Sequence, residues 1–182
     1  EGLDGEDRVL IDPHPMSPDH TTSVNYLDIS HDGRLVVYGI RDGGVDELSI
    51  RLRDVDTGED LVDRLPAARY GGFNLTPDKA GLFYERYGDV TPRVMYHAIG
   101  TDVADDVQLF GDGYDVHHIP VSLLSDDGRW LLVHIIEGSS GPTEIHVKDL
   151  RSDTPFTTVI RDGVTESWAE FAGDQLVITS NL

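Results

Sequence analysis

Cysteine is absent from the 182 residues, which excludes disulfides and thiolate metal sites while leaving the compartment open. No run approaches the roughly 18 apolar residues a membrane-crossing helix needs, so no membrane partner is expected. No charged-then-apolar start marks a secretory signal, and a cytoplasmic location is the expectation. Helical periodicity is nowhere sustained, so helix content should be near zero. Bases are scarce: 14 against 34 acids, for a net charge of −20, with Lys79 and Lys148 the sole lysines. Such a field repels phosphate backbones and argues against nucleic acid as a partner. The acid-rich, lysine-poor balance fits either a salt-adapted source or heavy use of Asp in turns.

What the chain does have is a repeated phrase. Ser30-His31-Asp32-Gly33 leads into Leu35-Val36-Val37-Tyr38, and Ser125-Asp126-Asp127-Gly128 into Trp130-Leu131-Leu132-Val133. A degraded copy, Thr76-Pro77-Asp78-Lys79-Ala80-Gly81, precedes Leu82-Phe83-Tyr84, and Ala172-Gly173-Asp174-Gln175 precedes Leu176-Val177-Ile178. Anchored on Asp32, Asp78, Asp127 and Asp174, the steps are 46, 49 and 47 residues. A chance hairpin turn explains one copy, not four in register. Each phrase follows an alternating apolar run and precedes a continuous one, the pattern of a strand covered on both faces. Third strands are expected at Ser49–Val55, Arg93–Ile99 and Glu144–Leu150, and fourth strands at Asp60–Leu65, Asp106–Phe110 and Phe156–Arg161.

Four strands per repeat of this length make the blade of a β-propeller. The expected fold is all-β: a partial propeller of about three complete four-stranded antiparallel blades plus flanking strands of two more. The repeats fall at approximately 25–65, 71–111 and 119–162, with an incomplete one at 167–182. Arg8–Asp12 is expected to be the last strand of a preceding blade. The chain is therefore expected to begin and end inside repeats, as a piece of a longer protein. Strand edges left open would present unsatisfied backbone groups, so the segment alone is expected to pair edge to edge with copies of itself.

Several phrases are more specific than a propeller requires: Arg53-Asp54-Val55-Asp56-Thr57-Gly58-Glu59-Asp60-Leu61, then Tyr96-His97-Ala98-Ile99-Gly100-Thr101, and Asp105-Asp106-Val107-Gln108-Leu109-Phe110. Ser125 to Leu131 follows, then Glu137-Gly138 and Lys148-Asp149-Leu150. In order and spacing the chain resembles the propeller domain of the prolyl oligopeptidase family of serine peptidases. The resemblance implies a propeller joined to an α/β-hydrolase catalytic domain, screening short proline-containing peptides that are cleaved after proline. It implies no cofactor. The chain itself holds no Gly-x-Ser-x-Gly nucleophile elbow; Gly138-Ser139-Ser140-Gly141 has the wrong spacing and suits an inter-strand loop. The resemblance also carries a substrate-lining aromatic onto Phe110, which is either an apolar subsite wall or a blade-packing phenylalanine. Tyr114-Asp115-Val116-His117-His118 departs from the family pattern beside it, and the family arginine after a Thr-Asn pair has no counterpart at Ser180-Asn181-Leu182. A non-catalytic propeller that binds a partner through its rim loops is the alternative function.

Other constellations argue for less. His117-His118 beside Asp112 and Asp115 has metal-ligand chemistry, but adjacent strand residues point to opposite faces. Asp54-x-Asp56-x-Gly58-x-Asp60 echoes a calcium loop with its glycine in the wrong place, and a hairpin turn is expected there. Asn74-Leu75-Thr76 is a glycosylation sequon set on an inner strand. Asp105-Asp106 and Asp126-Asp127 are expected to be solvated turn carboxylates near their reference pKa, without the burial that catalytic pairs need.

Overall fold

The polar turns organise the chain by closing each hairpin with side-chain hydrogen bonds. A computed structural model describes residues 5, 7–69, 71–87 and 91–181. Between β1 (Ser23–Ile29) and β2 (Leu35–Arg41), the Ser30 hydroxyl donates to Asp32 Oδ1 at 2.7 Å and accepts the Leu35 N–H at 2.9 Å. Asp32 also accepts the Arg34 N–H, and Gly33 takes φ +70°. Ser125, Asp127 and Gly128 repeat this between β9 (His118–Leu124) and β10 (Trp130–Glu137), with bonds of 2.7 and 2.8 Å and φ +68°. In the degraded copy Thr76 accepts the Gly81 N–H at 3.1 Å, and Lys79 takes the left-handed position at φ +58°. The side-chain bonds hold the turn even where glycine is missing.

The second blade consists of β5 (Phe73–Leu75), β6 (Gly81–Arg86), β7 (Arg93–Ala98) and β8 (Val107–Phe110). The first is completed by β3 (Leu48–Asp54) and β4 (Asp60–Ala68), and the third by β11 (Thr143–Asp149) and β12 (Thr157–Ile160). Within each blade the strands pair antiparallel in chain order, and β13 (Ser167–Ala172) pairs β14 (Gln175–Ser180) as a two-stranded sheet. Three four-stranded sheets and a two-stranded one make an all-β propeller fragment. Two three-residue 3-10 turns, His14–Met16 and Val103–Asp105, are the helical elements among the described residues. The first strands touch in series, β1 on β5 and β5 on β9, so they line the propeller axis and the fourth strands lie outermost.

The continuous apolar runs are explained by what covers each face. Leu35 and Val37 of β2 join Leu82 and Tyr84 of β6 in one core between the first two blades. Phe83, one residue on, points the other way and packs with Leu131, Val133 and Ile135 of β10. Leu132 in turn packs with Ala169 of β13. The second strands β6 and β10 thus each fill two inter-blade cores, and each fully buried aliphatic contributes on the order of 2 kcal/mol.

The strand expected at 8–12 is not one. Residues 7–13 pair with no strand among the described residues. Leu10 and Ile11 still pack on Val36, Tyr38 and Ile40, covering the face of β2 that a preceding blade would cover.

Candidate functional site: the axial wall and the blade joints

Polar side chains on the first strands stitch neighbouring blades together beside the axis. Asp28 of β1 accepts the Leu75 N–H of β5 at 2.7 Å, and burial pushes its carboxyl above the usual range. One repeat later, Asn74 of β5 does the equivalent job. Its Oδ1 accepts the Leu124 N–H at 3.1 Å, and its Nδ2 donates to Ser122 O and Oγ at 3.1 and 3.0 Å. The sequon asparagine therefore has its amide committed across a blade joint. The same strands present exposed Tyr26 and Ile29, and β13 presents Trp168, as apolar surface.

A second network lies toward the outer strands of the first two blades. His97 of β7 is fully buried between two carboxylates, with Nε2 3.0 Å from Asp63 Oδ1 and Nδ1 2.7 Å from Asp106 Oδ1. The Gly100 N–H also reaches Asp63 at 2.5 Å, and Tyr84 donates to Asp106 Oδ2 at 2.6 Å. Burial alone would raise the Asp63 carboxyl, but the Gly100 and His97 hydrogen bonds outweigh it and hold it low. Asp106 was expected to be a solvated turn residue; its side chain is 1% exposed. The sequence carries a signal for this: Tyr38 to Asp60 and Tyr84 to Asp106 share a spacing of 22, and both pairs are hydrogen-bonded. With His and both acids closed to solvent, the trio joins blades and has no route to a substrate.

Phe110 stands on β8, an outermost strand, in the wedge between the second and third blades. It stacks on Tyr114 at 5.5 Å and meets His146 and Phe156 at 4.9 Å each. These four side chains, with Arg161, border a cavity of about 380 Å³. Tyr114 donates to Glu144 Oε2 at 2.5 Å, and His146 sits 3.1 Å from the same oxygen. Burial lowers the pKa of His146 and raises that of the Tyr114 phenol.

The remaining candidates resolve locally. His118 pairs with Asp115 at 2.8 Å, and no three His, Cys, Asp or Glu side chains gather as a metal group among the described residues. Asp54 accepts the Thr57 N–H at 2.7 Å and Gly58 takes φ +71°, which makes that segment a hairpin turn. Asp127 is an exposed turn carboxylate held low by Ser125 and the Arg129 N–H. Gly138–Gly141 is the loop between β10 and β11.

Repeated four-stranded sheets set around an axis define a β-propeller segment. A family model described as prolyl oligopeptidase, N-terminal beta-propeller domain, matches residues 1–182, and the chain belongs to that family. It is 30% identical over 168 residues to the prolyl endopeptidase of Elizabethkingia meningoseptica, covering 86% of this chain and 23% of that protein. A structure from an analysis of two prolyl endopeptidases superposes with a TM-score of 0.89 at 25% identity, over 99% of this chain and 28% of that one. Prolyl oligopeptidase B from Galerina marginata shares the fold with a TM-score of 0.79 at 20% identity, over 94% of this chain and 27% of its own. The chain thus spans about a quarter of the length of these relatives. No helix among the described residues is long and apolar enough to cross a membrane.

Proposed function

We propose that this propeller segment screens substrate access to an α/β-hydrolase catalytic domain in a serine endopeptidase that cleaves short peptides after proline. Family membership across the whole chain carries the reading. The first strands support it by lining the propeller axis, with Tyr26 and Ile29 exposed as apolar surface. The 182 residues contain no nucleophile elbow, so the segment alone should not hydrolyse peptides.

The test compares the segment with the intact protein that carries it, using a Gly-Pro fluorogenic peptide and a folded protein bearing the same sequence. Hydrolysis by the intact protein only, blocked by a serine-directed phosphonate and restricted to the short peptide, is expected. Activity in the segment alone, or indifference to substrate size, would sink the proposal. The isolated segment is also expected to self-associate through the open edge of β14, and a concentration-independent monomer in sedimentation would exclude this.

Phe110 forms part of the same reading as an apolar wall, supported by its place at a cavity lined by Tyr114 and Phe156. Phe110→Ala in the intact enzyme should raise KM for peptides with a bulky apolar residue several-fold while leaving kcat near wild type. A loss of roughly 2–3 kcal/mol of stability with unchanged KM would make Phe110 a packing residue alone.

A further inference from the structure

The joint between the second and third blades encloses a carboxyl group one of whose oxygens has no hydrogen-bond partner among the described residues. Glu85, near the end of β6, is 1% exposed. Its Oε1 accepts the Ser122 N–H of β9 at 2.6 Å, the Gly72 N–H also bears on the carboxyl, and among the described residues its Oε2 has no hydrogen-bond partner. Gly71 and Gly72, entering β5, close over it. A Cβ on Gly71 would stand 2.3 Å from Glu85 Oε2, and one on Gly72 2.6 Å from the Ser122 carbonyl. Gly71 has φ +109°, so the crossover depends on glycine twice, for conformation and for space.

Among the described residues, the titratable groups on the surrounding elements are turned elsewhere. On β6 itself Tyr84 donates to Asp106 and Arg86 is exposed, and Tyr87 beyond it donates to the Pro120 carbonyl. On β7 Arg93 faces Gln108 and Asp112, Tyr96 packs on Phe83, and His97 lies between Asp63 and Asp106. β5 carries no titratable residue. His118 at the start of β9 faces Asp115, and His134 on β10 faces Ala169. With no counter-ion among the described residues, an ionised Glu85 would be a buried unpaired charge, whereas the acid form is neutral there.

We propose that Glu85 is a proton-operated latch on the axial side of this joint: as the acid it lets Gly71–Gly72 and β9 close over it, and as the carboxylate it drives that joint open. On opening, the proton leaves to water and the carboxylate is solvated. The sign follows from linkage. Burial raises the closed-state pKa from 4.5 to about 8, so the closed joint binds the proton more tightly than the open one. Closure is therefore fully favoured below about pH 4.5, weakens as pH rises, and levels off above about pH 8.

Amide exchange on the intact protein, corrected for the intrinsic pH dependence of exchange, tests this at Ser122 and Leu124. Wild-type protection should fall by up to about tenfold per pH unit across that window and then flatten. Glu85→Gln, neutral at every pH, should hold protection constant. Equal slopes in the two proteins, or a flat wild-type profile, would overturn the latch. If Glu85→Gln does not fold, the infrared carbonyl stretch of the protonated carboxyl in wild type decides. Its persistence to near pH 8 supports the proposal, and its loss in the ordinary carboxylate range refutes it.

Discussion

The first two blade joints are alike beside the axis, where Asp28 and then Asn74 cross to the next first strand, and they differ in what fills them farther out. Between blades one and two, the buried charges lie toward the outer strands, with His97 of β7 held by Asp63 of β4 and by Asp106 just before β8. Between blades two and three, Asn74, Ser122 and Glu85 cluster beside the axis, and the outer wedge is filled by Phe110, Tyr114 and Phe156. Blades diverge with distance from the axis, so the outer gap must be filled either by large rings or by a buried polar network. The comparison shows that one repeat can use either solution. It also assigns different risks: the ionic lock fails when a partner is removed, and the aromatic filling fails when volume is lost.

The largest effect should come from the ionic lock. His97→Ala removes the ring that bridges the two acids and leaves Asp63 and Asp106 buried without it, which costs about 3–5 kcal/mol. Urea unfolding of the intact protein would show it as a shift in midpoint. A loss under about 1 kcal/mol would mean that water replaces the ring, and the contrast between the joints would collapse.

The third joint gives the next test, because it depends on a histidine kept neutral. His134 of β10 accepts the Ala169 N–H at 3.0 Å and stacks flat on Trp168 at 4.0 Å. Burial lowers its pKa from 6.5 to about 4. The unfolded chain therefore binds the proton more readily, and the stabilisation present above pH 6.5 is lost as pH falls toward 4, by up to roughly 3 kcal/mol. His134→Gln should flatten that acid limb in a stability-pH profile; an unchanged limb would assign the loss elsewhere. This slope runs opposite to the one expected from Glu85, so a double variant with Glu85→Gln separates the two joints.

The architecture was legible in the sequence because it rests on local rules. Asp-Gly turns, alternating first strands and doubly covered second strands each leave a mark within ten residues, and four copies in register leave little freedom. Third and fourth strands fell within a few residues of their expected bounds for the same reason. The segment at 8–12 shows the limit: its apolar residues do pack, but a ladder needs a partner strand that local pattern does not supply. The joints were less legible still. Asp106 and Asp126 have the same local context of paired acids before a strand, yet one is sealed against His97 and the other lies in an exposed turn. What separates them is a contact 34 residues away in the chain, between His97 and Asp63.

The smallest prediction sharpens the comparison within a single repeated pair. Tyr84→Phe removes one donor from Asp106, a carboxylate closed to solvent whose remaining side-chain donor is His97, and should cost about 1–2 kcal/mol. Tyr38→Phe removes the equivalent hydroxyl from Asp60. That carboxylate is 17% exposed and keeps Arg53 at 2.9 Å and Arg51 at 3.5 Å. Burial pushes the Asp60 carboxyl up, and its bonds from Tyr38 and Arg53 more than offset this. With the arginines in place, losing the phenol should cost less than about 1 kcal/mol. Parallel denaturant titrations would rank the two variants. Equal losses would show that the shared Tyr–Asp spacing, rather than the sealed histidine beside it, sets the strength of the joint.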